Sequence, residues 1–220
     1  MGLLDLTASM DNQPLRDILR RPVKDLRISV TDRCNFRCTY CMPFDKYEWI
    51  ERKEILTFEE VARVAALFTR LGVEKIRLTG GEPLLRRDLD KLVGELVQIS
   101  GLKDLSLTTN GSLLSEKIET LVKAGLRRIN VSLDTLNREK FKLMTRRDEL
   151  PKVLCAIQAA KQLGLKPIKI NSVIERGVND NELLDLAEFC RANGFAVRFI
   201  EYMDVGNANN WVSQKIVSKK

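Results

Sequence analysis

The sequence contains no histidine, and this absence excludes several common kinds of active site. Neither a Ser-His-Asp triad nor a Cys-His pair can be assembled, and zinc cannot be held by imidazole. Long apolar runs are also missing, since no segment approaches the roughly 18 residues that a membrane helix requires. The first residues lack a basic region followed by an apolar stretch, the pattern of a secretory signal. We therefore expect a cytoplasmic protein that does not associate with a membrane.

Cysteine is scarce, with five in 220 residues, and three of the five lie between positions 34 and 41. An odd number with this clustering does not suit a disulfide scaffold and favours a reducing compartment. Basic residues exceed acidic ones by a formal charge of +7, without any long run of Lys or Arg. Aromatic residues do not interleave with the basic ones, which argues against nucleic acid as the partner. An anionic small molecule therefore remains a natural ligand.

Short strand-like patterns alternate with longer helix-like patterns along the chain, which is typical of βα units and a parallel sheet. The predicted strands are 25–31, 75–79, 104–109, 127–133, 166–174 and 196–202. The predicted helices are 57–71, 87–99, 115–124, 137–144, 150–163 and 180–193. The predicted organisation is an N-terminal extension over 1–24, one α/β domain over 25–204, and the start of a C-terminal region over 205–220, where Ser218 resembles a helix cap.

Polar and apolar residues alternate within the predicted strands, so one face of the sheet is polar. A closed eight-stranded barrel fills its interior with apolar layers, and burying unpaired polar groups there would be costly. The pattern therefore predicts an incomplete, wider barrel, whose polar lumen is partly cationic through Arg27, Lys75, Arg77 and Lys169. The alternative is a simple solvent-exposed sheet face, and a one-residue slip of register would exchange the two faces.

Cys34, Cys38 and Cys41 form a C-x3-C-x2-C loop directly after the first predicted strand. Structural zinc and most iron–sulfur clusters take four ligands, so three thiolates on a cubane cluster leave one iron open. The alternative is a set of three reduced structural cysteines. Cys155 and Cys190 lie in predicted apolar helices, and we interpret both as core thiols.

The cysteine loop, with Tyr40 before its third cysteine, resembles the motif of the radical S-adenosylmethionine (SAM) superfamily. The resemblance implies a partial (βα)6 TIM-like barrel, a [4Fe–4S] cluster on the three cysteines, and SAM bound to the open iron. One electron would then cleave SAM to a 5′-deoxyadenosyl radical. The segment Thr79-Gly-Gly-Glu-Pro83 supports the resemblance, because in that family it binds the methionyl amino group of SAM.

The resemblance is closer to one family, the GTP cyclases (lyases) that perform the first step of molybdenum cofactor biosynthesis. The segments that carry it are Asp25–Pro43, Lys75–Arg86, Thr108–Gly111, Val131–Asp134, Lys169–Asn171 and Phe199–Asp204. By motif, the implied GTP-binding residues are Arg27, Arg77, Thr108 and Lys169. The implied SAM-binding residues are Tyr40, Gly80, Gly81, Glu82, Ser132 and Met203.

The sequence departs from that family in lacking the C-terminal region that carries a second cysteine set and a second [4Fe–4S] cluster. We therefore expect SAM cleavage to be better preserved than GTP cyclisation. The implied partners are GTP, an electron donor, a second copy of the chain, and either a separate C-terminal chain or the downstream pyranopterin monophosphate synthase. Two alternatives remain at this point: a radical SAM enzyme with another phosphorylated substrate, and a non-catalytic iron–sulfur protein that binds nucleic acid.

Overall fold

The computed structural model describes residues 14–206 and 211–218. Six strands alternate with six α-helices over this part of the chain. The strands are β1 (Asp25–Ser29), β2 (Lys75–Thr79), β3 (Asp104–Thr109), β4 (Arg128–Ser132), β5 (Ile168–Ile174) and β6 (Ala196–Glu201). The helices are α1 (Phe58–Arg70), α2 (Leu89–Leu96), α3 (Leu114–Lys123), α4 (Arg138–Thr145), α5 (Leu150–Gln162) and α6 (Leu183–Asn193). Short 3-10 turns span Arg52–Glu54, Pro83–Leu85, Asp180–Glu182 and Ser213–Lys215.

The six strands form one parallel sheet in the order of the sequence, from β1 to β6. Each strand pairs with the next, and within the described residues β1 and β6 are edge strands. The sheet is therefore open, as expected for a partial (βα)6 barrel. The predicted strands agree with the structure to within two residues at each end.

Most apolar side chains of the central strands β2 to β5 face the helices and are buried, as the alternation predicts, whereas Phe199 of the edge strand β6 is exposed. Ile76, Leu78, Val131 and Ile170 are each exposed by 1% or less. Their polar neighbours point to the opposite face, which the helices do not cover. At about 25 cal/mol per Å² of apolar surface, burial of this face is the main stabilising contribution of the sheet. The polar face is thereby left as the lining of the lumen.

The start of α1 that the sequence predicts at Thr57 is confirmed. Thr57 caps α1 in a reciprocal capping box, in which the Glu60 amide donates to Thr57 Oγ1 over 3.2 Å and the Thr57 amide donates to Glu60 Oε2 over 2.8 Å. One prediction about cysteine is wrong: Cys190 is buried in α6, whereas Cys155 is exposed on α5. Val153, Ala156 and their helical neighbours form the buried stripe of α5, and position 155 falls outside that stripe.

Residues 14–24 of the predicted N-terminal extension contact the sheet domain through Leu15, whose amide donates to the Leu71 carbonyl over 2.7 Å. The helix start predicted at Ser218 cannot be followed, because residues 219 and 220 lie outside the described part of the chain. None of the described helices combines the length and apolarity needed to cross a bilayer.

Candidate active site

Two cavities lie in the lumen, one above the other. The upper cavity, here called the mouth, has a volume of about 240 Å³ and lies at the carboxyl ends of β1 and β2. The lower cavity, here called the floor, has a volume of about 120 Å³ and lies among the amino-terminal residues of the strands. The mouth is lined by Asp32, Cys34, Phe36, Cys38, Cys41, Met42, Gly80 and Gly81. The floor is lined by Asp25, Leu26, Arg27, Lys75, Ile76, Arg77, Asp104, Ser106, Arg128 and Lys169.

The loops after β1 and β2 are joined backbone to backbone at the mouth. The Gly81 amide donates to the Thr31 carbonyl, and the Glu82 amide donates to the Arg33 carbonyl, each over 2.7 Å. A Cβ atom at position 81 would lie 2.3 Å from the Arg33 carbonyl oxygen. Glycine is therefore required here so that two segments of the chain can approach each other.

Glu82 is buried and connects this joint to β3. Its carboxylate accepts hydrogen bonds from the Leu84 amide (3.0 Å), the Thr109 hydroxyl (2.7 Å) and the Asn110 amide (2.7 Å). Burial raises the pKa of Glu82, and the hydrogen bonds from Asn110, Thr109 and Leu84 act in the opposite direction. The chain itself therefore engages the Glu82 carboxylate, and a direct contact of this side chain with SAM stays a prediction.

The three clustered thiols all line the mouth, as the spacing predicts. Burial is the largest cause that raises the pKa of Cys34, Cys38 and Cys41 above the ordinary thiol value. Among the described residues, no three His, Cys, Asp or Glu side chains are close enough to hold a single metal ion. Cysteine thiolates are the usual ligands of iron–sulfur clusters, and the three thiols line one cavity. The donor set therefore fits an iron–sulfur cluster.

Asparagine side chains hold the cysteine loop against β3, and sequence reasoning gave them no role. Asn110 Nδ2 donates to Asn35 Oδ1 over 2.9 Å and lies 4.0 Å from Cys34 Sγ. Asn35 Nδ2 in turn donates to the Ser112 hydroxyl over 2.9 Å. Asn110 could have been identified from the Thr-Thr-Asn-Gly segment, because this segment lies at the carboxyl end of β3, where parallel strands present site residues.

Tyr40 ties the cysteine loop to β4 and β5. Its hydroxyl donates to Asp134 Oδ2 over 2.6 Å, and the Val173 amide donates to Asp134 Oδ1 over 2.8 Å. Burial raises the pKa of Asp134 to about 6, although the hydrogen bonds from Tyr40 and Val173 oppose the shift. Asp134 is thus a second residue of the site to which the sequence analysis gave no role.

The two remaining residues predicted to bind SAM lie at the ends of strands. Ser132 ends β4 beside Asn171, and Met203 follows β6 with an exposed side chain.

The floor brings together three of the four residues predicted to bind GTP: Arg27, Arg77 and Lys169. Thr108, the fourth, is separated from Lys169 in the register by Asn130, whose Nδ2 donates to the Thr108 hydroxyl over 3.2 Å. Burial lowers the pKa of both Arg77 and Lys169, and neighbouring positive charges lower it further. Like charges are therefore crowded at the floor, as they are in sites that receive anions.

An open parallel barrel with three thiols at its mouth defines an α/β protein built to hold a metal cluster at the carboxyl ends of its strands. The family model of the radical SAM superfamily matches residues 28–190. The chain therefore belongs to the radical SAM superfamily, whose members use a [4Fe–4S] cluster and SAM.

Curated relatives are similar over most of this chain. It is 56% identical to the GTP 3′,8-cyclase of Acidothermus cellulolyticus over 93% of this chain and 58% of that relative. It is 52% identical to the GTP 3′,8-cyclase of Aquifex aeolicus, over 93% of this chain and 64% of that one. The chain thus spans about three fifths of the length of these relatives.

Solved structures show the same fold at lower identity. Streptococcus suis SuiB bound to S-adenosylmethionine superposes with a TM-score of 0.71 at 21% identity, over 95% of this chain and 44% of that one. Methylornithine synthase (PylB) superposes with a TM-score of 0.69 at 17% identity, over 94% of this chain and 59% of that one. These likenesses confirm the partial-barrel fold.

Proposed function

We propose that this chain is the SAM-cleaving part of a GTP 3′,8-cyclase, which acts in the first step of molybdenum cofactor biosynthesis. One observation carries the proposal: a thiol-lined mouth and a cation-lined floor lie in the same lumen. Similarity to the GTP 3′,8-cyclases of Acidothermus cellulolyticus and Aquifex aeolicus supports GTP as the substrate.

At the mouth, Cys34, Cys38 and Cys41 would hold a [4Fe–4S] cluster. When bound, the cluster supplies the electron that cleaves SAM to a 5′-deoxyadenosyl radical. The backbone of Gly80 and Gly81 borders the same cavity, which supports a role for this segment in binding the methionyl part of SAM. Tyr40, Ser132 and Met203 are the further SAM-binding residues that we propose. Glu82 acts by holding the segment in place, through the three hydrogen bonds that its carboxylate accepts.

At the floor, Arg27, Arg77 and Lys169 would bind the phosphates of GTP. Guanidinium groups suit this task because their planar donors match phosphate oxygens. Phosphates held at the floor would leave the nucleoside directed towards the mouth, where the radical is generated. Thr108, one level above the arginines, then lies on the path of the nucleoside or its first phosphate.

The test is anaerobic reconstitution of the chain with iron and sulfide, followed by reduction in the presence of SAM, with and without GTP. We expect 5′-deoxyadenosine to form, and its yield to change when GTP is added. The matched variant replaces Cys34, Cys38 and Cys41 by alanine, and the Cys155→Ala variant serves as the cysteine control. The proposal is refuted if SAM stays intact in the unaltered chain, or if the triple variant cleaves SAM equally well.

A further inference from the structure

Arg128 lies in the same row of the sheet as two residues that the proposed function assigns to GTP. The register pairs Arg27 with Arg77, Arg77 with Ser106, and Ser106 with Arg128. Side chains at paired positions of neighbouring strands point to the same face, and Arg128 lines the floor together with the other two arginines. No motif in the sequence marks Arg128 as a binding residue.

Arg128 differs from the other two arginines of this row in its partner. Its Nη1 donates to Asp104 Oδ2 in an ion pair that is mostly shielded from solvent. Within the described residues, neither Arg27 nor Arg77 forms an ion pair of its own, so their charges are compensated less directly than that of Arg128, through the more distant Asp25 of the floor. Arg128 keeps bonding capacity all the same, because its buried Nε has no hydrogen-bond partner in the described part of the chain.

Because the charge of Arg128 is paired with that of Asp104, Arg128 attracts a phosphate over a shorter distance than Arg27 or Arg77 does. An uncompensated charge attracts any phosphate in the lumen, whereas the field of a paired guanidinium falls off over a short distance. Arg128 therefore binds only weakly to a phosphate that stops above it. It binds more strongly to a phosphate that comes within hydrogen-bond distance of its Nε–H group. Such a residue discriminates between anions by their length.

The depth of the row determines which phosphate Arg128 would contact. Lys169 pairs with Asn130, two residues further along β4 than Arg128, so the arginine row lies about 7 Å deeper than Lys169. A nucleotide whose nucleoside faces the mouth extends its phosphate chain downwards. The last phosphate would then meet the arginine row, which is followed towards the starts of the strands by the row of Asp25, Lys75 and Asp104.

We propose that Arg128 binds the terminal phosphate of the nucleotide and, held in place by Asp104, makes the site select a nucleoside triphosphate over shorter phosphates. The proposal rests on the proposed function and adds to it a specificity-determining residue. The floor as a whole suits such a ligand, since its lining has five cations and only two carboxylates. A terminal phosphate would supply the negative charge that this excess requires.

The experiment measures the dissociation constants of GTP, GDP and GMP by equilibrium dialysis against the full chain with its cluster reconstituted. We expect Arg128→Gln to weaken GTP binding by about tenfold or more, because a charge-assisted contact is lost, and to change GMP binding less than about twofold. Arg127→Gln is the matched control, since Arg127 is exposed and its guanidinium donates to the backbone carbonyls of Val122 and Leu126. It should leave all three constants unchanged.

Two further variants separate selection from folding. Asp104→Asn removes the compensating charge, so Arg128 should attract every phosphate and GMP should bind more tightly, by about threefold or more. The double variant Arg128→Gln with Asp104→Asn leaves no unpaired buried carboxylate and should still lose the preference for GTP. An equal loss for all three nucleotides, an unchanged preference in Arg128→Gln, or an unchanged GMP affinity in Asp104→Asn would overturn the proposal. Failure of the unaltered chain to bind GTP would instead refute the proposed function.

Discussion

The mouth and the floor of the lumen are stabilised in opposite ways. At the mouth, the buried Glu82 carboxylate accepts three hydrogen bonds, and the two loops that form the cavity are joined through their backbones. At the floor, cations face one another, and the buried Nε atoms of Arg77 and Arg128 have no partner among the described residues. The mouth is thus held mainly by its own chain, although Asp32 Oδ1 also lacks a partner among the described residues, whereas the floor suits the phosphates that we propose for it.

This difference indicates how one fold carries two kinds of site. A cluster-binding loop has to hold its thiols in place before the metal arrives, and dense backbone hydrogen bonding provides that order. A phosphate site gains its affinity from charge that is left unbalanced in the free protein, at the cost of some stability. Substitutions at the mouth should therefore reduce stability, and substitutions at the floor should reduce binding.

The largest effect on stability is expected from Gly81→Ala. The new Cβ would meet the Arg33 carbonyl oxygen at 2.3 Å and the Asp32 carbonyl oxygen at 2.5 Å, so the two loops must separate. We expect a loss of about 4 kcal/mol or more in the free energy of unfolding, and a matching loss of bound iron after reconstitution. Denaturant titration and iron analysis measure the two effects.

The control for this prediction is Gly94→Ala, on the open side of α2, where an added Cβ has nothing within 4 Å. Alanine is the better helix former, so this variant should gain about 0.5–1 kcal/mol. Equal stability of the two alanine variants would show that the joint between the loops does not order the mouth.

Glu82→Leu should have the next largest effect. The substitution leaves the Thr109 hydroxyl and the amides of Leu84 and Asn110 without their acceptor in a buried place. We expect a loss of about 3 kcal/mol in the free energy of unfolding, measured by denaturant titration of the cluster-free chain. Glu188→Gln, which breaks an exposed pair with Arg191, should change stability by less than about 0.5 kcal/mol. A Glu82→Leu variant as stable as the Glu188 variant would contradict the role given to Glu82.

The parts of this site that the sequence predicts are those set by periodicity. Arg27, Arg77 and Lys169 meet at the floor because strand residues alternate between faces, and the cysteines meet because they share one short loop. The network from Asn110 through Asn35 to Ser112 depends on the conformations of two loops distant in sequence, which periodicity does not determine. Cys155 was misassigned for a related reason, since one position around a helix turns a side chain by about 100°.

The smallest effect on stability, and the clearest contrast with the mouth, is expected at the floor from Arg77→Met. The pKa of Arg77 is lowered first by burial and then by the charges of Arg27 and Arg198, and the Asp25 charge opposes them less strongly, so the neighbouring charges on balance repel the guanidinium. A methionine of similar length removes the repulsion while it preserves packing. We expect the free energy of unfolding to stay constant or to rise by up to about 1 kcal/mol, while GTP binding weakens by about tenfold or more.

The control is Arg63→Met on the exposed side of α1, which removes the same charge and should change neither stability nor GTP binding. A loss of stability in Arg77→Met comparable to that of Glu82→Leu would show that the floor, like the mouth, is stabilised by its own chain, and the contrast between the two regions would fail.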